Sequence, residues 1–198
     1  MVTPGELALF GPFLEESFLD PELCERLAVE MRGVAAQPAT VRVLSEGGVD
    51  PKIDEKRRRT QMAEVSDATV SLVENRLRTI KPALEEHFSM ALGSLQTPQF
   101  LIYREGDFFR PHTDAAGDPG VGDQVAERRV SLVLFVNGGP RAYAGGELTF
   151  YGLIEQDRRV GVPLSAAPGL LVGFRSDTLH GVTPVTYGER YTIVTWMA

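Results

Sequence analysis

The sequence predicts a mainly β fold of the α+β kind, with helices packed on one face of a β-sandwich or jelly roll. Two observations carry this. Apolar residues recur at helical intervals within 13–33 and 66–92, whereas after Pro98 they gather in short runs, QFLIY, RRVSLVLFVN, GGELTFYG, GLLVGF and RYTIVTWMA, separated by Gly, Pro and Asp. Helices first and strands after suit a layered α+β arrangement rather than an alternating one. The 198 residues are enough for one domain with its own core, and no repeat or clean linker divides them. The expectation is a single domain over 1–198, with a helical support region at 1–97 and a β core at 98–198.

The first helix begins at Asp20, an N-cap acid followed by Pro21 in the first helical position. Its stripe, Leu23, Cys24, Leu27, Ala28 and Met31, makes Cys24 a small packing residue rather than a nucleophile. A second stripe, Val70, Val73, Leu77, Ile80, Leu84, Phe88 and Ala91, marks helix from Ser66 to Leu92. Pro82 must kink that stretch or start a new helix, because its ring removes a backbone donor. His87 lies beside the stripe among acids and reads as a solvated histidine.

Composition excludes several classes. Apolar residues make up 43% and charged residues 24%, as in ordinary globular proteins. A net charge of −7 argues against a nucleic-acid binder, for which a basic face is needed; the run Lys56 to Arg59 is the one dissent. A single cysteine precludes an internal disulfide, and the N-terminus lacks a basic segment leading into a long apolar stretch. The expected compartment is the cytoplasm. No apolar run approaches the length that spans a bilayer.

The chemistry concentrates in RPHTD, residues 110–114. Residues at i and i+2 of an extended chain project to one side, so His112 and Asp114 can share a metal ion. Alone, such a pair is also a common surface arrangement. His180, in SDTLHGVTPV, offers a third donor, and two histidines with one carboxylate form the facial triad of non-haem iron(II) oxygenases. Ten positions on, Arg190 opens the last strand, sharing a face with Thr192, Val194 and Trp196. An arginine turned inward there needs an anion; spacing alone does not separate this from a strand-entry arginine in water. Tyr103 ends QFLIY, and Gly106 permits a turn back toward the metal pair. Its hydroxyl can reach the same anion, or the ring can simply fill the core.

These residues resemble the prolyl 4-hydroxylase-like branch of the Fe(II)/2-oxoglutarate-dependent dioxygenases. The resemblance rests on Tyr103, Gly106, Phe109, His112 and Asp114; on Gly145, Gly146, Glu147 and Phe150; and on His180, Val182, Pro184, Val185 and Arg190. The opening FLDPELCERL is similar too, with less specificity. The resemblance implies a double-stranded β-helix core in 98–198, iron(II) held by His112, Asp114 and His180, and Arg190 on the distal carboxylate of 2-oxoglutarate with Tyr103 beside it. It further implies O2 as co-substrate, hydroxylation of an unactivated C–H of a prolyl or other amino-acid side chain, succinate and CO2 as co-products, and ascorbate as a possible reductant. The basic residue is arginine here and lysine in the collagen-type animal enzymes, so a collagen-like peptide is not implied.

Asp114 argues against the halogenating relatives, which lack that carboxylate. Trp196 stands where a nucleic-acid demethylase would carry a second arginine. A metal-binding β-helix module for binding or sensing, and a cupin-like metalloprotein without 2-oxoglutarate, stay open as alternatives. Two loops, 45–61 and 115–127, are candidate lids or walls, the former offering Arg58, Arg59 or Thr60 to substrate or standing solvated. The substrate and the oligomeric state are not legible.

Overall fold

The structure is a computed structural model that describes residues 1–45, 48–115, 125, 127–154 and 159–198, and the backbone alone at 42–45 and 48–51. The N-terminal part runs α1 (Pro4–Ala8), β1 (Phe13–Glu15), α2 (Pro21–Gly33), β2 (Ala36–Pro38), β3 (Val41–Ser45), β4 (Gly48–Lys52), β5 (Arg58–Arg59), β6 (Gln61–Ala63), α3 (Asp67–Thr79) and α4 (Lys81–Phe88). Then follow β7 (Gln99–Tyr103), β8 (Phe108–His112), β9 (Val130–Phe135), β10 (Tyr143–Gly145), β11 (Leu148–Tyr151), β12 (Gly161–Pro163), β13 (Leu171–Arg175), β14 (His180–Val182), β15 (Val185–Gly188) and β16 (Arg190–Met197).

The helices begin where their caps dictate. The Asp20 carboxylate accepts from the Leu23 amide at 2.8 Å, and the Ser66 hydroxyl accepts from Thr69. Pro82 falls in the first turn of α4, so the expected long helix divides into α3 and α4 at Ile80 rather than bending. All five residues of the α2 stripe, Cys24 included, are buried. His87 is exposed as expected, yet its Nε2 lies 2.8 Å from the Gly11 carbonyl, so it ties α4 to the turn before β1.

Two antiparallel sheets form the sandwich, a larger one in the order β1-β13-β9-β16-β7-β6-β2 and a smaller one in the order β12-β11-β14-β8-β5. Strand alternation sorts the larger sheet's side chains into two cores. Phe100 and Ile102 of β7, Val130, Leu132 and Leu134 of β9, and Tyr191, Ile193 and Met197 of β16 join a cluster with Leu27, Met31, Val73, Leu77 and Leu84 of the helices. The opposite face sends Leu101, Tyr103, Val133, Phe135, Arg190, Thr192, Val194 and Trp196 toward the smaller sheet, into the clusters and the cavity between the sheets. The helices therefore cover one face and leave the other for the site.

Residues 1–97 contribute more than helices. β1, β2 and β6 pair into the larger sheet and β5 into the smaller, while β3 and β4 form a hairpin of their own. Pattern alone did not mark them, because strands of two to five residues are too short to show alternation. Half of the 45–61 segment, expected as a charged loop, is thus strand, and Arg58 on β5 is buried. Most of the candidate lid at 115–127 lies outside the described residues.

Candidate active site

β8 and β14 are neighbours in the smaller sheet, with His112 paired directly to His180. Gly181 makes this pairing close enough: a Cβ there would stand 2.9 Å from the Phe109 carbonyl oxygen and 3.1 Å from the Pro111 nitrogen, both backbone atoms that cannot step aside. Asp114 lies just past the end of β8, rather than on the strand as the i, i+2 reasoning supposed. Its amide and that of Ala115 both donate to the Ser176 carbonyl, at 2.9 and 2.8 Å, and this fixes the bend.

The three side chains converge. One ligand atom from each of His112, Asp114 and His180 lies within 4.8 Å of the others. His112 Nε2 is 3.4 Å from Asp114 Oδ1, and His180 Nε2 is 3.4 Å from Oδ2. Each imidazole has Nδ1 against a carbonyl two residues earlier, Arg110 at 2.8 Å and Thr178 at 2.9 Å. Carbonyls only accept, so the proton is assigned to Nδ1 and the Nε2 lone pairs face the carboxylate, the tautomer a metal ligand requires.

Protonation states agree with this. Burial lowers the His180 imidazole to about 4, outweighing the support of Asp114, so the ring is neutral near pH 7. Burial would raise the Asp114 carboxyl, but His180, His112 and the Ser131 hydroxyl reverse this and hold it far below the carboxylate range. Neutral imidazole and ionised carboxylate are the metal-binding forms. Ser131 donates to Asp114 Oδ2 at 2.7 Å and lies 2.9 Å from the Ser176 hydroxyl, both serines being buried. Sequence reading missed this pair; the signal was Ser131 as the lone polar residue inside the apolar run VSLVLFV.

Arg190 faces the cavity, as the inward reading of β16 requires. It is 1% exposed, donates from Nη1 to the Thr192 hydroxyl at 3.2 Å, and has a buried Nε with no partner among the described residues. Its guanidinium carbon is 4.9 Å from the Tyr103 ring centroid and 5.1 Å from that of Phe135. Gly146 makes room for it, and Gly145 before it makes room for the close Pro184 carbonyl. A Cβ on Gly146 would come 3.1 Å from Arg190 Cδ and 2.8 Å from a Val185 methyl, and both glycines have positive φ. The Tyr143 phenol, also beside Arg190, is raised by burial and partly relieved by the guanidinium. Sequence reading did not single out Tyr143.

Tyr103 lies between two cations. Its ring faces Arg190, and its hydroxyl supports the charge of Arg58, whose pKa burial otherwise lowers. Of the three residues proposed from 45–61, Arg58 lines the cavity, Thr60 donates its hydroxyl to the Ile102 carbonyl, and Arg59 is exposed. His112, Asp114, His180, Arg190, Tyr103 and Arg58 thus share one cavity walled by Leu101, Val133, Leu148, Val182 and Val194.

Comparison with known proteins agrees with this geometry. Residues 98–198 match the family model described as the 2OG-Fe(II) oxygenase superfamily. A PKHD-type hydroxylase of Acaryochloris marina is 31% identical over 183 residues, 90% of this chain and 76% of that one. One from Hyphomonas neptunium is 34% identical over 145 residues, 71% of this chain and 60% of the relative, so this chain spans less than two thirds of that protein's length. Among solved structures, a Pseudomonas putida prolyl-4-hydroxylase superimposes with a TM-score of 0.69 at 26% identity, covering 98% of this chain and 95% of the other.

Proposed function

Because this chain belongs to the 2OG-Fe(II) oxygenase superfamily, we propose that it hydroxylates an unactivated C–H bond with iron(II), 2-oxoglutarate and O2, releasing succinate and CO2. The observation that carries this is the union, in one cavity, of three convergent metal-ligand atoms and a buried arginine with a free donor and no carboxylate partner among the described residues. The donor set fits iron(II), since two imidazoles and a carboxylate leave open positions for an oxo acid and O2. When bound, the iron and 2-oxoglutarate supply the oxidising power for C–H hydroxylation.

The chain's own residues position and shield. His112, Asp114 and His180 hold the metal, with Ser131 and the Arg110 and Thr178 carbonyls fixing their orientation. Arg190, steadied by Thr192, takes the distal carboxylate of 2-oxoglutarate, and Tyr103 adds its hydroxyl. The apolar walls exclude water, which strengthens these charged contacts. Similarity to the P. putida prolyl-4-hydroxylase supports a prolyl or other amino-acid side chain as substrate. We read residues 1–198 as one domain acting in the cytoplasm, a placement supported by the lone, buried Cys24, with ascorbate as the reductant that restores oxidised iron. Among the described residues no helix is long and apolar enough to cross a membrane.

The test is oxygen-dependent succinate formation by the iron-loaded protein against free amino acids, proline-containing peptides and candidate proteins. Succinate stimulated by one of them, and lost in His180→Ala, is the expected result. Metal binding with no succinate under any condition would instead indicate a binding or sensing module.

A further inference from the structure

Three buried side-chain nitrogens have no hydrogen-bond partner among the described residues: Arg58 Nε, Arg190 Nε and Trp196 Nε1. All three belong to residues lining the same cavity, and all three are donors. A cavity with surplus buried donors is built for a guest rich in acceptors, because leaving such groups unpaired is costly. Arg190 is accounted for by the oxo acid. Arg58 is not.

Arg58 is held in place. It is 8% exposed, pairs with Phe109 across β5 and β8, and donates from Nη1 to the Thr40 carbonyl at 3.2 Å. Its guanidinium carbon is 4.8 Å from the Phe109 ring centroid, and that same ring stacks on His112 at 3.6 Å. The charge therefore sits one aromatic ring from a metal ligand. Among the described residues no carboxylate lies within ion-pair distance of Arg58; burial works against its charged form, and the Tyr103 hydroxyl and the more distant Asp114 carboxylate offset only part of that.

Charge balance shows what is missing. A divalent metal and dianionic 2-oxoglutarate would cancel, and Asp114, the carboxylate that acts on Arg58, does so from beyond ion-pair distance while its oxygens face His112 and His180. Arg58 is left with a buried Nε that has no partner and no carboxylate in contact with it among the described residues. On the proposed function the oxo acid would not supply its partner, since its distal carboxylate would meet Arg190 and its other end would be held at the His112, Asp114 and His180 triad. We infer that Arg58 binds a carboxylate of the primary substrate, so that this oxygenase acts on a carboxylate-bearing compound: a free amino acid, a C-terminal residue, or a residue beside an acidic side chain. A planar carboxylate can meet a guanidinium with two parallel bonds, as a phosphate also can, and carboxylates are the anions that amino-acid and peptide substrates carry. The inference rests on the proposed function and names the substrate class for it.

Trp196 provides a readout independent of turnover, being the only tryptophan in the chain and part of the cavity wall. Protein loaded with Mn(II) and 2-oxoglutarate without oxygen is titrated with the proteinogenic amino acids, each as its N-acetyl carboxylate and N-acetyl primary amide. Short amidated proline peptides with a glutamate or glutamine neighbour complete the probes. At least one carboxylate should bind, with its neutral counterpart at least about a hundredfold weaker, and the probe that binds identifies the source of the carboxylate. Arg58→Met should erase that preference and Arg58→Lys should retain part of it, with 2-oxoglutarate affinity changed by less than about threefold in both. Equal binding of carboxylates and amides by the wild type, a reading that needs no variant, overturns the assignment. So does the absence of any carboxylate binding, or a loss of 2-oxoglutarate affinity in Arg58→Met equal to the loss for the probe. Failure of the wild type to bind 2-oxoglutarate at all would strike the proposed function instead.

Discussion

Arg190 and Tyr103 stand directly opposite each other on β16 and β7, and the guanidinium carbon of one lies 4.9 Å from the ring centroid of the other. Backbone pairing thus sets the position of the cation that the distal carboxylate of 2-oxoglutarate would meet. Replacing Arg190 with Leu removes the charge while retaining bulk. Binding of 2-oxoglutarate, measured by titration of the metal-loaded protein, should weaken by roughly a hundred- to several-thousand-fold, as expected when a partly buried ion pair loses one partner. Metal binding should persist, and Arg190→Lys should be intermediate because the charge stays while the two-pronged geometry goes.

Tyr103→Phe keeps the ring against Arg190 and deletes only the hydroxyl. The KM for 2-oxoglutarate should rise by roughly tenfold, the effect of losing a hydrogen bond to a charged group worth about 1.5 kcal/mol. An unchanged KM would make Tyr103 a packing residue whose hydroxyl serves Arg58 alone.

His180→Ala removes one of three ligands from a site that has no substitute nearby among the described residues. Iron stoichiometry, measured after desalting, should fall to background and succinate formation with it. His87→Ala is the control, because its ring touches Gly11, Phe13 and Phe88 rather than the cavity.

Ser131→Ala leaves every ligand present but deprives Asp114 Oδ2 of its donor. Iron affinity should drop by about ten- to a hundredfold, the usual effect of removing a group that orients a ligand. Arg190 is untouched by this change, so 2-oxoglutarate affinity at saturating metal should hold. A parallel fall in both would place Ser131 in the fold rather than in the metal site.

The metal-free protein should lose stability on mild acidification. His180 titrates at about 4 when folded against an ordinary value of 6.5, because burial disfavours its charge. As pH falls through this window the unfolded chain takes up a proton that the folded chain refuses, and unfolding gains about 1.4 kcal/mol per pH unit. Asp114, held low, acts in the same sense further down: its contribution is present above the ordinary carboxyl value of 3.8 and is lost as pH falls through the folded one. The urea midpoint without metal should therefore be lower at pH 5 than at pH 7, and His180→Leu should flatten that difference.

The sequence made the late strands legible because β7, β9, β13 and β16 are long, apolar and punctuated by Gly and Asp. It also made the triad legible, since H-x-D with one later histidine is chemically unusual. Arg58 was harder to read. In sequence it belongs to a run of four cations that resembles a solvated loop, and only the pairing of β5 with β8 turns it inward while leaving Arg59 in water. Tyr143 reaches Arg190 beside a turn of two left-handed glycines, and Ser131 on β9 reaches Asp114 in the bend that follows β8. Contacts of that kind depend on register between distant segments, which no local pattern encodes.

The larger sheet joins its strands in the order β1-β13-β9-β16-β7-β6-β2, so several neighbours in space are far apart along the chain. β6 meets β7 only across the α3–α4 helical pair, and β7 meets β16 across most of the C-terminal half. Chain entropy must be surrendered before such pairings return any energy, a topology associated with folding over milliseconds to seconds rather than microseconds. Tyr103 and Arg190 sit on two strands of this slow assembly, and Arg58, His112 and His180 on three strands of the smaller sheet that packs against it. No early hairpin or helix can hold iron, and recovery of metal affinity after dilution from urea should lag behind helix formation and keep pace with the burial of Trp196.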